Sequence, residues 1–512
     1  MSEFANDRRA VRAAIISWWD QRNFRLFYFD EADFRGLFPD TVATSKITEI
    51  LASLSIAWGD LKDGNPEHFF LNNPVWTKPF IAVGNSKFFF PCVSLTQSFG
   101  LAMLEQVLEK CEDLHRKYQD RGRSEFLEVR TEEAVLKALP GAKVYRGLKW
   151  PHSNGEIRET DLLVWLDSHA LIFECKSGHL RARARRGDSA ALKQELGKVI
   201  EDPSMQGRRF ADYLLAQKAP IKLQDSRGLF HELDPSTLLR VTPINIILEY
   251  LGPIGIQHQL LRDAGLVDSG TAPAATIALH DLECILDVLD FPAAAFHYLR
   301  RRAEIESSNK MLTDEMGLLS TYLATSFDFG DFEGDPNRTF ALPSMADQLT
   351  PYFMGKEVGR PIPKPKLHLR GWWLDMLRKF QERKFLGWME ASYTLLSVGY
   401  ERQLEFERAA RKLTKDVRSN WHSDHNNTCV MIVGAQNRRT AVLCVVVKNK
   451  SREESRSLVS QRMSLAREEY DSDRILAICL SARDRVYPYL ATYFSCKEIE
   501  RIESGSYGYQ TG

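Results

Sequence analysis

The stretch that most constrains this chain runs from Thr160 to Lys176, TDLLVWLDSHALIFECK. It reads as two short apolar strands joined by a polar turn, with Asp161 at the head of the first and Glu174-Cys175-Lys176 closing the second. Strand side chains alternate faces, so Leu171, Phe173 and Cys175 are expected on one side, with Glu174 and Lys176 on the other. An acid and an amine at the end of an otherwise apolar strand are poor core material, because each ion loses its hydration when buried. Two carboxylates with a lysine alongside suit the task of holding a divalent cation against a phosphodiester.

At 512 residues the chain is too long for one core, and about three domains are expected. Formal net charge is zero, so nucleic-acid binding has to come from a local basic surface. The eight cysteines are scattered singly with no CxxC pair, which argues against a zinc ribbon, and their even number is no evidence for disulfides in a chain this long. MSEFANDRRAVRAAIISWW has early acids and no long apolar core, unlike a secretory signal, and no segment reaches the roughly 18–20 apolar residues of a membrane span. A soluble, reduced, cytoplasmic protein is expected.

Residues 1–120 read as an α+β accessory domain. Its clearest piece is Asn73 to Leu95, where runs at Phe80–Val83 and Lys87–Phe90 flank Gly84-Asn85 as a hairpin. Its aromatic residues could form a platform for bases, but buried core is the expected role. Residues 121–255 follow an α-β-β-β-α-β pattern. The first helix, SEFLEVRTEEAVLKALPG, places Glu132 on or beside the apolar stripe marked by Val135 and Leu139, with Glu133 and Glu128 as alternatives. After Lys176 comes SGHLRARARRGD, whose Arg181, Arg183, Arg185 and Arg186 suit either a solvated loop or a grip on backbone phosphates. Asp202-Pro203 reads as a helix start, and the helix carries Gln206.

Residues 256–370 read as a helical region and a linker. Arg300, Arg301 and Arg302 are expected on a solvated helix face, with nucleic-acid contact as the alternative, and the Pro- and Gly-rich Asp328–Lys366 as a domain boundary. Residues 371–512 repeat the central order in weaker form. Strands TCVMIVGA and TAVLCVVVKNK are followed by a helix and the strand RILAICL. Lys448 and Lys450 stand where a catalytic lysine would be, but Val446 takes the place of the acid. This half is expected to be a degenerate α/β copy that cannot bind metal and serves binding, regulation or dimerisation. The polar run Trp421 to Asn427 could ligate a transition metal, but reads more readily as a loop.

In order and spacing, a helix acid, Asp161, Glu174-x-Lys176 thirteen residues later and a helix with Gln206 resemble the PD-(D/E)xK restriction-endonuclease-like superfamily. Within it the chain is most similar to NERD-like (nuclease-related domain) bacterial proteins. The likeness covers about a quarter of the chain, and Thr160 stands where members often have Pro or Ile. It implies a central mixed sheet flanked by helices and a metal-dependent nuclease acting on DNA, in bacterial defence or DNA processing. Magnesium or manganese would be held by Asp161, Glu174, the Cys175 carbonyl and Glu132. Lys176 would orient or deprotonate water or stabilise the pentavalent state, and Gln206 would position the site or the substrate strand. An RNA-directed nuclease and a non-catalytic nucleic-acid-binding or scaffold protein are the alternatives. The C-terminal half is the expected surface for a homodimer or a partner protein.

Overall fold

The computed structural model describes residues 8–65, 73–84, 87–268, 270, 273–333, 335, 338–342, 346–385, 387–420, 427–434, 440–448, 450–472, 474–483 and 486–496. The chain forms two compact units, Met1–Arg123 with Leu180–Leu192, and Ser124–His179 with Lys193–Gly512.

In the first unit, β1 (Tyr28–Asp30), β2 (Ser55–Ala57), β3 (Phe80–Gly84) and β4 (Lys87–Phe89) form a sheet in the order β1-β4-β3-β2. β3 and β4 pair antiparallel as the hairpin reading expects, while Asn85 of its turn lies outside the described residues. Phe80, Phe88 and Phe90 are buried against Ile47 and Leu51, which recur four residues apart on the helix Thr44–Ser53. The hairpin phenylalanines are core residues, not a platform for bases.

The second unit contains a seven-stranded mixed sheet. Its strands are β5 (Lys143–Pro151), β6 (Ile157–Leu166), β7 (His169–Lys176), β8 (Ile221–Gln224), β9 (Phe230–Leu233), β10 (Arg240–Ile247) and β11 (Ala275–Ala278), in the order β11-β10-β7-β6-β5-β8-β9. β5, β6 and β7 run as an antiparallel meander, whereas β10 lies parallel to β7. A parallel neighbour requires a crossover, and the helix Asp202–Ala216 lies on that connection. β7 is consequently covered on both faces. Leu171, Phe173 and Cys175 join Leu127 and Val135 of the helix Arg123–Ala138 in one core, and Ala170 and Ile172 join Phe210 and Leu214 in another. The alternation read from the sequence is the one observed.

A ribbon of β12 (Lys310–Leu312) and β13 (Thr339–Ala341) precedes a second sheet of β14 (Thr428–Val433), β15 (Thr440–Val447), β16 (Arg474–Ser481) and β17 (Ala491–Cys496), in linear order. β15 is antiparallel to β14 and parallel to β16, with the helix Arg452–Tyr470 on the crossover. Helix Tyr400–Ser419, β14, β15, helix and β16 thus repeat the order and directions of the acid-bearing helix, β6, β7, helix and β10, with β5 uncopied. β17, antiparallel to β16, stands where parallel β11 stands in the larger sheet. Val446 is buried in the same apolar cluster as Phe173 and Cys175, so it does not take the acid's place as the sequence spacing suggested: Val445 and Val447, packed against the crossover helix, lie on the face that Glu174 occupies on β7.

That cluster does not end at the Pro- and Gly-rich segment: Leu349 is buried in it, and Phe329 and Tyr352 pack against it. The segment is not the irregular connection expected: it contains β13 and the helix Ala346–Glu357, with Pro351 inside it, and it belongs to the second compact unit. The arginines Arg300, Arg301 and Arg302 also depart from the solvated face expected for them. On the helix Pro292–Ser308 all three are buried, paired with Glu304, Glu306, Glu315, Glu333 and Glu390. Glu304 and Glu306 follow at helical spacing, but Glu315, Glu333 and Glu390 lie beyond this helix in sequence, so helix periodicity alone could not place them. No described helix is long and apolar enough to cross a membrane. All eight cysteines are free.

Candidate active site at the end of the central strands

The β6–β7 ladder stops at Leu162 and Phe173. The next pair would be Asp161 with Glu174, but there the Asp161 side chain takes over, its Oδ2 accepting the Cys175 N–H at 2.6 Å. A short carboxylate in place of a main-chain carbonyl ends the β6–β7 pairing, with Glu174 near the end of β7 but Asp161 midway along β6, which stays paired with β5 back to Ile157 rather than starting at Thr160.

Glu174 is fully buried, and neither of its carboxylate oxygens accepts a hydrogen bond. Its register partner on β10 is Asn245, which is also fully buried. Its Cγ lies 3.4 Å from the position of a β-carbon on Gly207, and Pro243 would be 3.1 Å from that carbon. Glycine therefore lets the helix Asp202–Ala216 press directly on the acid-bearing strand. Burial drives the Glu174 carboxyl well above the carboxylate range, the Asp161 and Glu128 charges add to this, and Lys176 opposes it. Asp161 is also raised, first by burial, against the pull of the Cys175 N–H and Lys176.

Lys176 Nζ donates to Gln206 Oε1 at 3.3 Å, and Gln206 Nε2 donates to the Glu159 carbonyl at 2.9 Å. Gln206 thus ties the lysine of β7 to the backbone of β6. The helix that carries it does not start at Asp202 with a side-chain cap. It continues out of a wide turn over Gly197–Glu201, and Glu201, already helical at φ −77° and ψ −50°, occupies the cap position.

The helix acid nearest this field is Glu128, one turn before Glu132. Its carboxyl is pushed up to about 7 by burial and by Asp161, with Arg146 opposing. Glu132 instead faces Arg146 Nε at 3.4 Å. Both acids flank the buried stripe Leu127, Thr131, Val135, and counting the stripe back to Leu127 is the sequence signal that brings Glu128 forward. Glu133 pairs with Arg130. The Cys175 thiol points away from the acids, 3.9 Å from the Thr131 hydroxyl, so only its main chain is available to the site. Glu159 and Asn245 belong to the surroundings and carry no motif in sequence.

Arg181, Arg183, Arg185 and Arg186 fall in the first compact unit, on the four-residue helix Ala182–Arg185 and its flanks. Arg183 pairs with Asp188 at 2.6 Å, and Arg185 and Arg186 donate to the Leu180 and Ala182 carbonyls. In the C-terminal half, Lys448 Nζ donates to the Val417 carbonyl at 3.4 Å. Trp421 to Asp424, His425 and Asn426 lie outside the described residues.

A buried carboxylate with both oxygens unsatisfied calls for a proton or a cation, and the donors gathered here are the hard oxygens that magnesium or manganese prefers. Among the described residues, no group of three or more His, Cys, Asp or Glu side chains is placed to hold a metal ion. The donor chemistry is present without a finished cage. Compared with known proteins, the chain matches no protein-family model, and no curated protein matches it significantly.

Proposed function

We propose that the second unit carries a metal-dependent nuclease centre acting on DNA, built on the resemblance to PD-(D/E)xK proteins. The observation that carries the reading is Glu174: a fully buried carboxylate without a hydrogen bond, beside Asp161 and Lys176 where the pairing of β6 with β7 stops. Asp161 and Glu174 would hold magnesium or manganese, with Glu128 and the Cys175 carbonyl as further oxygen donors. When bound, such an ion lowers the pKa of a coordinated water and offsets charge growing on the phosphate. Lys176 brings a fixed positive charge toward the same phosphate, and Gln206 holds its amine in place. Glu128, with its carboxyl near 7, can accept a proton around neutral pH.

A second reading is a nucleic-acid-binding module that keeps the fold without cutting, favoured by the unfinished metal cage among the described residues. Plasmid, linear and single-stranded DNA and RNA, incubated with magnesium or manganese, separate the two. Asp161→Ala and Lys176→Ala should each slow cleavage by at least about a hundredfold, the scale of losing one transition-state charge contact. Equal cleavage by all three proteins would remove the site assignment. Binding without cleavage would favour the second reading, and cleavage of RNA alone would redirect the substrate.

Magnesium should also stabilise the fold more at pH 8 than at pH 6. Glu128 has its carboxyl raised from 4.5 to about 7, so the stability its protonated form contributes is complete below 4.5 and lost as pH rises through 7. A cation binding the ionised form restores that loss, so the magnesium-induced rise in melting temperature should grow across this window. Equal rises at both pH values would separate these carboxylates from cation binding.

A further inference from the structure

The C-terminal sheet carries no acid on β15, and a cleft of about 510 Å³ opens at the carboxyl end of its parallel strands, on the face covered by the helix Tyr400–Ser419. Ser481, at the end of β16, is the register partner of Val447, as Ile247 of β10 is of Lys176. Carboxyl ends of parallel strands are where open α/β sheets bind ligands, because loops and helix starts converge there.

The lining is basic. The helix Tyr400–Ser419 turns Glu407, Arg411, Thr414 and Arg418 toward the cleft at spacings of three and four, and Arg370 adds a third guanidinium from the start of the helix Gly371–Arg383. Glu407 is the acid among the lining residues, and it is nearly buried beneath two of the arginines. Arg370 Nε meets it at 3.0 Å, and Arg411 bonds its other oxygen. Arg418 Nε donates to the Ala482 carbonyl at 2.8 Å, which fixes the guanidinium without neutralising it. Arg370 is further steadied by the Tyr400 hydroxyl at 3.1 Å. Three positive charges against one negative leave the cleft cationic, with guanidinium groups already oriented. The start of the helix Gly371–Arg383 has no side-chain cap and no acid in its first turn, which adds a partial positive charge.

The facing wall is apolar and aromatic. Val486 and Tyr487 remain 44% and 60% exposed, although Trp372 beneath them is nearly buried, its indole N–H donating to the Pro488 carbonyl at 2.8 Å. Tyr487 is anchored by its hydroxyl to Asp375 at 2.6 Å. A cleft with a fixed arginine wall on one side and an exposed aromatic face on the other suits a ligand that has a phosphate at one end and a flat ring at the other. Its volume falls within the range of small-molecule sites.

We propose that this cleft binds a nucleoside phosphate, with the phosphate on Arg370, Arg411 and Arg418 and the base against Tyr487 and Val486. The copy that lost its acid then serves as a small-nucleotide sensor within the chain. This goes beyond the nuclease reading and does not depend on it.

Titration calorimetry on the full chain tests the proposal with nucleoside monophosphates, adenosine, inorganic phosphate and a 5′-phosphorylated single-stranded oligonucleotide. At least one monophosphate should bind at least tenfold tighter than adenosine or phosphate. Arg411→Ala with Arg418→Ala should weaken it at least tenfold with little change in melting temperature. Tyr487→Ala should weaken the nucleotide but not phosphate, and Asp161→Ala should leave binding intact, which keeps the result separate from any cleavage. Should the double variant fold poorly, Arg411→Glu replaces it, since that side chain is 75% exposed. The proposal is overturned by no monophosphate binding at millimolar concentration, by phosphate binding as tightly as the nucleotides, by undiminished binding in the arginine variants, or by an oligonucleotide binding where monophosphates do not.

Discussion

Replacing Glu174 by glutamine should make the protein more stable at pH 8 while abolishing metal-dependent cleavage. The wild-type carboxyl is fully buried, accepts no hydrogen bond and sits beside two other acids, so ionising it opposes folding. Glutamine keeps the shape against Gly207 and removes the charge. A gain of about 1 kcal/mol or more is expected, seen as a rise of about 2–4 °C in melting temperature for each kcal/mol. Cleavage should fall at least about a hundredfold, and the magnesium-induced rise in melting temperature should disappear. Sites that hold charge for chemistry commonly trade stability for it, and this opposite movement of stability and activity is the signature to look for. A variant that is destabilised yet still cuts would show that Glu174 is a packing residue.

Glu390→Ala should be the most damaging single change in the second unit. This glutamate, 1% exposed, receives His169 at 2.6 Å and Arg300 at 3.1 Å, while Arg474 stands 2.8 Å away as an ion pair without hydrogen-bond alignment. Arg240 is 3.9 Å away. Burial by itself would raise the carboxyl, but Arg300 and His169 hold it well below the usual range. His169, Arg240 and Arg474 begin β7, β10 and β16, so one carboxylate joins the starts of strands from both sheets. Removing it leaves the buried Arg300 and the partly buried Arg474 and Arg240 without their shared carboxylate, at a cost of about 3–5 kcal/mol. Denaturant unfolding should show the midpoint moving by that amount with both sheets affected together. A loss under about 1 kcal/mol would mean that the apolar core, not this ion cluster, unites the sheets.

Local pattern carried much of this architecture. Period-two alternation separated Leu171, Phe173 and Cys175 from Glu174 and Lys176, and the absence of an acid along β15 was equally readable, but the spacing put Val446 in the acid's place when it lies on the face of Phe173 and Cys175. Gln206 proved adjacent to Lys176 because its helix lies on the crossover that parallel pairing demands. What stayed illegible depends on distant partners. Glu128 and Glu132 are one turn apart beside the same stripe, and what separates their surroundings is nonlocal: Asp161 of β6 acts on Glu128, whereas Glu132 pairs with Arg146 of β5. Arg300 to Arg302 look solvated until Glu315, Glu333 and Glu390 arrive from other helices and loops. Continuity of the core through Leu349 is equally nonlocal, since prolines and glycines report backbone freedom and not what packs over it.

The Leu180–Leu192 segment gives the chain an unusual route. After Lys176 the backbone leaves the second unit, contributes to the first, and returns in time to build the helix that carries Gln206. The units are therefore stitched together at three covalent crossings, and two of them bracket the connection between the lysine and the glutamine that holds it. A fragment cut cleanly at Ser124 would carry a length of foreign fabric, with its apolar side chains deprived of their own core. The loop that joins the lysine to its glutamine is therefore lent out to another unit and handed back, and any fragment that keeps both residues keeps a piece of the first unit's chain as well.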